Sequence, residues 1–216
     1  MDETNDKLIQ AKQNIAQTRS AKGVGTGRDA GSRDRLPPGQ RLVKDGWPVL
    51  DLGIQPDIPT NLWQLRVSGA AQERTFSWDD FLGLPQTKLV TDFHCVTSWS
   101  IFDAHIEGVL WKDFLAAIEV SPQATHAMFH SFDGYKTNVS LEEMAQPNVA
   151  IIHRFGGEPL SREHGGPVRT WVPQLYAWKS AKWVRGIEFL NADKRGFWEV
   201  RGYHNHGDPW KEERYS

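Results

Sequence analysis

The sequence has 216 residues, a hydrophobic share of 39% and a formal net charge of −2. That length holds one large domain or two small ones, and ten tryptophans with ten phenylalanines supply bulky groups for a core. The missing basic excess argues against nucleic acid as a partner, and no apolar run approaches the ~18 residues of a membrane span.

The chain opens on Asp2, Glu3 and Asp6, with no apolar leader and no paired arginines before one. A single cysteine allows no internal disulfide. Both features point to the cytoplasm. Residues 1–34 read as a flexible N-terminal arm and residues 35–216 as the folded domain. Met1 to Ser20 is polar, with Leu8, Ile9 and Ile15 as its few apolar groups. It suits a short solvated helix or disorder equally. Gly23-Val24-Gly25-Thr26-Gly27 lacks the preceding strand and following helix of a phosphate loop, so it reads as a linker.

Structure is expected from Arg35-Leu36-Pro37-Pro38-Gly39-Gln40-Arg41, a stiff proline lead-in. Trp47 to Leu52 reads as a short apolar strand. Trp63, Leu65 and Val67 alternate with Gln64 and Arg66, a strand signal. Ser77-Trp78-Asp79-Asp80 reads as a helix start with Ser77 as its cap. Leu89, Thr91 and Phe93 predict a strand that ends at Cys95, followed by a hydroxyl-rich turn, Val96-Thr97-Ser98, closed by Trp99. A helix is predicted over Leu110 to Ile118 from the spacing of Trp111, Phe114, Leu115 and Ile118. Further strands are predicted at His126–Phe132, Val149–Ile152, Val168–Val172, around Val184 to Phe189, and at Phe197–Tyr203. Ser140 with Glu143 forms a capping box. Short strands and helices without a βαβ rhythm predict an α+β domain.

Three places carry chemical potential. Cys95 stands at a strand end; a lone thiol is either a small buried hydrophobe or a nucleophile, redox sensor or metal ligand. Gly165-Gly166 with Arg169 nearby, and Lys179-Ser180-Ala181-Lys182, offer free amides, a guanidinium and two ammonium groups, the makings of a phosphate or acidic-cofactor pocket. The plain alternative is a surface turn with solvated charges.

His94-Cys95-Val96-Thr97-Ser98-Trp99-Ser100, Gly165-Gly166-Pro167-Val168-Arg169 with Val172-Pro173, and Tyr176-Ala177-Trp178-Lys179-Ser180-Ala181-Lys182-Trp183 together resemble the molybdopterin-binding domain of the sulfite oxidase family. The resemblance spans roughly residues 35 to 213. It is nearest to the small haem-less bacterial oxidoreductases, with the methionine sulfoxide reductase catalytic subunit a more distant relative.

The resemblance implies a single domain of mixed sheets with short helices, binding molybdenum on a pterin dithiolene without a nucleotide and without haem. It assigns Cys95 to the metal, and a soft thiolate suits that role. Arg169 is implied to grip the pterin phosphate. His94, His164, Ser131, Ser180, Ala181 and Lys182 are implied to contact the cofactor, with Gln40 and Arg41 placed against it more loosely. Trp99 and His105 could line the substrate mouth. The implied chemistry is two-electron oxo transfer on a sulfite, sulfoxide or N-oxide, followed by one-electron steps to an unidentified partner. Arg154 and Arg162 are candidates for a sulfite oxyanion pocket. No second β-sandwich follows the domain, so the dimer of the larger enzymes is not carried over.

Two other classes remain open. His204-Asn205-His206 with Asp208 could found a zinc or iron enzyme, since strand spacing puts both histidines on one face. A non-catalytic module for an acidic ligand would need Arg169 and Lys182 but not Cys95. The cofactor reading requires Cys95 and Arg169 to open on one shared cavity.

Overall fold

The computed structural model describes residues 3–21, 34–44 and 46–216. The glycine-rich stretch read as a linker, Gly23 to Gly27, lies outside the described residues. Residues of the expected arm form helix α1, Glu3–Ala21. Among the described residues, no helix is long and apolar enough to cross a membrane.

Two sheets organise the rest. The first runs β3 (Arg74–Ser77), β2 (Gln64–Gly69), β11 (Val184–Leu190), β6 (His126–Ser131) and β7 (Lys136–Ser140). Its β2 and β11 are parallel, although they stand far apart in the chain. The alternation read at Leu65 and Val67 holds: both are buried while Gln64 and Arg66 are exposed. The second sheet runs β1 (Arg41–Leu42), β5 (Trp99–Leu110), β8 (Ala150–Phe155) and β10 (Arg169–Trp171), with β4 (Gln86–Cys95) also on β5 and β9 (Glu158–Pro159) on β8.

The second sheet has a core on each face. In β8, Ile151 faces a large core shared with the first sheet, built on groups such as Trp63, Phe76, Trp111 and Phe129. Its neighbours Ala150 and Ile152 face a second core with Phe93, Cys95, Trp99 and Trp171. The two-residue period of a strand makes one strand serve both. Gly108 in β5 is required here, because a Cβ would lie 2.2 Å from the Ile151 carbonyl oxygen across the ladder.

The helices are short. Ser77 caps α2 (Trp78–Leu82) in a reciprocal capping box with Asp80. Ser140 caps α4 (Leu141–Met144) by accepting from the Glu143 N–H. The helix predicted to reach Ile118 is α3, Trp111–Leu115, and the chain then turns.

Three predictions are corrected. Trp47 to Leu52 forms no strand; Pro48 lacks a ladder donor, and Trp47 turns its ring onto Phe155 and His164 instead. Phe197 to Tyr203 is not a strand but carries a single 3-10 turn, Glu199–Arg201, ended by Gly202 at φ 91°. The segment after the Cys95 turn, for which the sequence predicted no strand, is β5, the longest strand of the sheet that holds the cysteine.

Candidate functional site

Cys95 ends β4, and the turn that follows folds the chain straight back into β5, so Cys95 and Trp99 are cross-strand partners. Ser98 closes this turn in the left-handed region, at φ 67°, a conformation that costs a serine energy and is held by its surroundings. The restraints are visible. The Cys95 carbonyl accepts from Ser98 N–H at 3.0 Å and from Gln40 Nε2 at 3.0 Å. The Arg41 N–H donates to Ser98 O at 3.1 Å, and buried Arg214 donates from Nη1 to Val96 O at 2.6 Å. Cys95 lines a cleft walled by Trp47, Phe93, Trp99 and Trp178. Burial pushes the thiol's pKa up, against the pull of the Thr97 hydroxyl, whose Oγ1 lies 3.3 Å from Sγ.

Arg169 opens on the same cleft. It starts β10 and is almost fully buried. Its guanidinium donates to three carbonyl oxygens, of His164 at 3.0 Å, Ser180 at 3.2 Å and Thr170 at 3.4 Å. It lies over the rings of Trp47, Phe93 and Trp171. No carboxylate pairs with it among the described residues. Burial accordingly pulls its pKa down to about 9, a cost that a bound anion would remove.

Lys182 stands at the same end of the cleft. Its Nζ donates to Glu163 O at 2.8 Å, and its stem packs on Gly165, where a Cβ would fall 2.8 Å from the Lys182 Cβ and φ is 102°. Burial and the charge of Arg169 lower its pKa to about 7. His164 is stacked on Trp47 with ring centres 4.1 Å apart. Its Nε2–H donates to Trp47 O at 2.9 Å while Nδ1 accepts from Ser161 Oγ at 2.8 Å, an assignment made from the acceptors present. That pattern fits a neutral ring, and burial lowers its pKa. Ser180 lines the cleft as well; its hydroxyl accepts from Val172 N–H at 2.9 Å.

The structure therefore brings Cys95, Trp99, His164, Arg169, Ser180 and Lys182 to one cleft. Other candidates lie elsewhere. His94 points away, with Nδ1 2.8 Å from Ser100 Oγ, and burial lowers its pKa to about 4. Gln40 acts on the Cys95 backbone from outside the cleft, and the Arg41 side chain is exposed. Ala181 is in the large core; its carbonyl fastens the loop to Thr170 N–H. Ser131 is buried off the cleft, and two residues just beyond it, Asp133 and Tyr135, form that wall instead. His105 is exposed in β5, opposite Val90, and lines no part of the cleft; strand alternation turns it away from the Ala104 and Ile106 side. Arg154 and Arg162 line a second cleft, beside Trp78 and His153.

His204 and His206 are engaged by carboxylates. His206 meets Glu143 at 2.9 Å and Glu213 at 2.7 Å, and His204 meets Glu213 at 3.3 Å. Among the described residues, no group of three or more His, Cys, Asp or Glu is arranged to hold a metal ion.

Sequence reasoning missed Trp47, Asp51, Trp198 and Tyr203 on the walls, and Arg214 behind the cysteine turn. Trp47 and Asp51 were hidden by the strand reading of their segment. Arg214 carried no signal, since a charged residue near a chain end reads as solvated.

A phosphorylated pterin that brings its own sulfur donors to a metal fits these residues. It needs one protein thiolate, for which Cys95 is the candidate, and a cationic end, for which Arg169 and Lys182 are candidates, neither with a carboxylate at hydrogen-bonding distance among the described residues. The Trp99 indole N–H, buried in the wall, has no protein acceptor and gives a further donor beside the thiol.

Comparison with known proteins agrees with this chemistry. The model of the oxidoreductase molybdopterin binding domain matches residues 52–198. The uncharacterized oxidoreductase YuiH of Bacillus subtilis (strain 168) is 36% identical over 197 residues, covering 89% of this chain and 98% of that protein. The mitochondrial sulfite oxidase of Drosophila melanogaster is 24% identical, over 68% of this chain and 30% of that protein. The protein-methionine-sulfoxide reductase catalytic subunit MsrP of Ralstonia nicotianae is 24% identical, over 67% of this chain and 49% of that protein. The chain thus spans less than half the length of these last two relatives. The crystal structure of the sulfane dehydrogenase SoxCD from Paracoccus pantotrophus superposes with a TM-score of 0.59 at 19% identity, over 64% of this chain and 40% of that one, which is a likeness of fold.

Proposed function

Because the chain belongs to the family of oxidoreductase molybdopterin binding domains, we propose that it is a molybdenum enzyme acting on a small oxygen donor or acceptor, with the Cys95 thiolate as the protein's ligand to the metal. The observation that carries the reading is that the chain's one cysteine and its carboxylate-free buried arginine open on the same cleft. When bound, the molybdenum pterin supplies two-electron oxygen-atom transfer, with one-electron steps to a separate electron carrier.

The chain's own residues then have distinct tasks. Gln40, Ser98 and Arg214 hold the cysteine turn by its carbonyls, so Sγ is presented at a fixed place. Arg169 and Lys182 answer the anionic end, Arg169 with a fork suited to phosphate oxygens. His164, held between Ser161 and Trp47, and Ser180 line that end. The aromatic walls, Trp47, Phe93, Trp178 and Trp198 among them, exclude water and strengthen each charge interaction inside. Trp99 offers its N–H on the thiol side. Arg169 is the one arginine lining the cleft among the described residues and is committed to phosphate. A neutral sulfoxide or N-oxide therefore suits the cleft better than sulfite.

Metal and pterin analysis of protein from molybdate-fed cells tests this, with Cys95→Ser beside the wild type. The expected result is molybdenum in stoichiometric amount in the wild type and its loss in the variant. Zinc that ignores Cys95 would make the histidine-based reading correct. Phosphate binding that needs Arg169, with no metal in either protein, would leave a ligand-binding module.

A further inference from the structure

We propose that helix α1 is a clasp over the mouth of the cleft and that Lys12 is a third cation for the anionic end of the cofactor. This rests on the functional reading above. Ile9, Lys12 and Gln13 fall at i, i+3 and i+4, so they share one helix face, and that face touches the body on both banks of the cleft. On one bank Lys12 Nζ lies 3.4 Å from Asp51 Oδ1, with only 17% and 13% of the two side chains exposed. On the other Gln13 Nε2 donates to Arg201 O at 3.2 Å, three residues beyond the wall residue Trp198. Ile9 is buried between. The helix thus spans from the Trp47–Leu52 wall to the Arg201 carbonyl, which lies in sequence between the wall residues Trp198 and Tyr203, and Lys12 itself lines the cleft with Arg169 and Lys182.

The charges there do not balance. Arg169, Lys182 and Lys12 face two carboxylates, Asp51 and Asp133. Burial raises the Asp133 pKa, while Asp51, though burial works against its charge, has its pKa lowered by hydrogen bonds from Gln55 and Gly53 and by the charges of Lys12 and Lys182. A phosphate monoester supplies the missing negative charge, and Lys12 is placed to turn from Asp51 to it.

The clasp is built to open. Of the α1 side chains described, Ile9 alone is buried. A helix owes most of its stability to packing, so with one buried side chain among those described, α1 is assigned to the low-stability end of the molecule. It opens to admit a bulky prosthetic group and, once closed, slows its escape.

The experiment compares the pterin-loaded full chain with its Lys12→Gln variant and with a chain lacking residues 1–21, following pterin release by fluorescence. Release is expected to be ~10-fold faster in Lys12→Gln, as for loss of one charge-assisted bond, and faster again in the shortened chain. A second readout needs no cofactor. Tryptic cleavage within α1 of the apo chain, at Lys7, Lys12 or Arg19, is expected to slow when inorganic phosphate is added and to quicken in Asp51→Asn without phosphate. Equal release from all three proteins overturns the clasp while leaving the functional reading intact. Cleavage that responds as described, in a chain that never retains pterin, upholds the clasp as a phosphate lid and overturns the functional reading instead. Cleavage indifferent to both phosphate and Asp51→Asn overturns the clasp.

Discussion

Arg169 and Lys179 are both buried cations in the stretch that walls the cleft, yet their surroundings differ in kind. Lys179 Nζ lies 2.7 Å from Glu199 Oε1, with neither side chain more than 1% exposed. It also donates to Asn138 O at 2.9 Å and to Asn138 Oδ1 at 3.1 Å. The same Glu199 oxygen accepts from Thr137 Oγ1 at 3.1 Å and from the indole of Trp178 at 3.0 Å. Burial pulls the Lys179 pKa down while Glu199 holds it up. That charge is answered inside the chain, and the answer fixes Trp178, a wall of the cleft, in place. Arg169 has carbonyls and ring faces only. One buried charge builds the wall; the other is left for something the wall encloses.

The comparison is broken or upheld most directly by stability. Glu199→Gln removes the partner of a buried ammonium, and breaking such a pair costs ~3–5 kcal/mol. Arg169→Gln in the apo chain removes a buried cation that has no ion-pair partner, trading a few neutral-acceptor hydrogen bonds against its desolvation, so the net loss is ~1 kcal/mol or less. Urea unfolding of the two apo variants measures both. A loss larger in Arg169→Gln than in Glu199→Gln would mean that the arginine is the structural charge.

Much of this contrast could be read from the residues, and some could not. The grouping of Gly165, Arg169 and Lys182 was legible because glycine, guanidinium and ammonium recur there within a short span. Cys95 at a strand end was legible from the alternation of Leu89, Thr91 and Phe93. Lys179 looked the same as Lys182 in sequence, since nothing local says that Glu199 will fold against one and not the other. The strand β5 was hidden because Ile101 and Phe102 are adjacent apolar residues and Asp103 takes a positive φ of 53°, which disrupts the period-two pattern. The strand β7 was hidden because Thr137 and Asn138 are buried polar residues, kept there by Glu199, Asp193 and Lys179. His105 was placed in the site by sequence nearness to the cysteine turn; the long strand carries it away. Polar residues whose partners lie far along the chain leave no periodic trace.

Lys182 sharpens the comparison with a smaller effect. Its pKa, lowered by burial and by Arg169 to about 7 from an ordinary 10.5, means that the ammonium is lost from the apo cleft as pH rises through about 7. A bound anion retains the proton. Inorganic sulfate, which does not itself titrate here, should bind the apo chain more weakly at pH ~8 than at pH ~6, with proton uptake on binding near neutrality. Calorimetry in two buffers of different ionisation heat measures the uptake. Between the folded and unfolded values the unfolded chain carries more protons, so apo stability rises with pH across that window. Both behaviours should vanish in Lys182→Gln, and pH-independent sulfate binding in the wild type would show that Lys182 plays no part.

His206 lies between the two extremes, because its charge is answered by the chain only while it is protonated. Burial works against the charged ring, but hydrogen bonds to Glu143 Oε1 at 2.9 Å and Glu213 Oε2 at 2.7 Å outweigh it and raise the pKa. The ring thereby ties α4 to the C-terminal segment, whose Gly207 carbonyl accepts from Tyr176 N–H at 2.8 Å and whose Arg214 supports the cysteine turn. A raised folded pKa gives stability that is fully present below the ordinary 6.5 and is lost as pH climbs through the raised value. The side chain is 36% exposed, so solvent screening keeps the effect below ~1 kcal/mol. Thermal melts of wild type and His206→Gln should differ near pH ~6 and converge by pH ~9, when the ring has lost its proton. Lys182 pulls stability the opposite way over the same range, so the test reads the gap between the two proteins, in which the lysine cancels. A gap that widened with pH would show His206 working as a neutral hydrogen-bonding group, and the C-terminal segment would then be held by Arg214 and the Gly207 carbonyl without help from its charge.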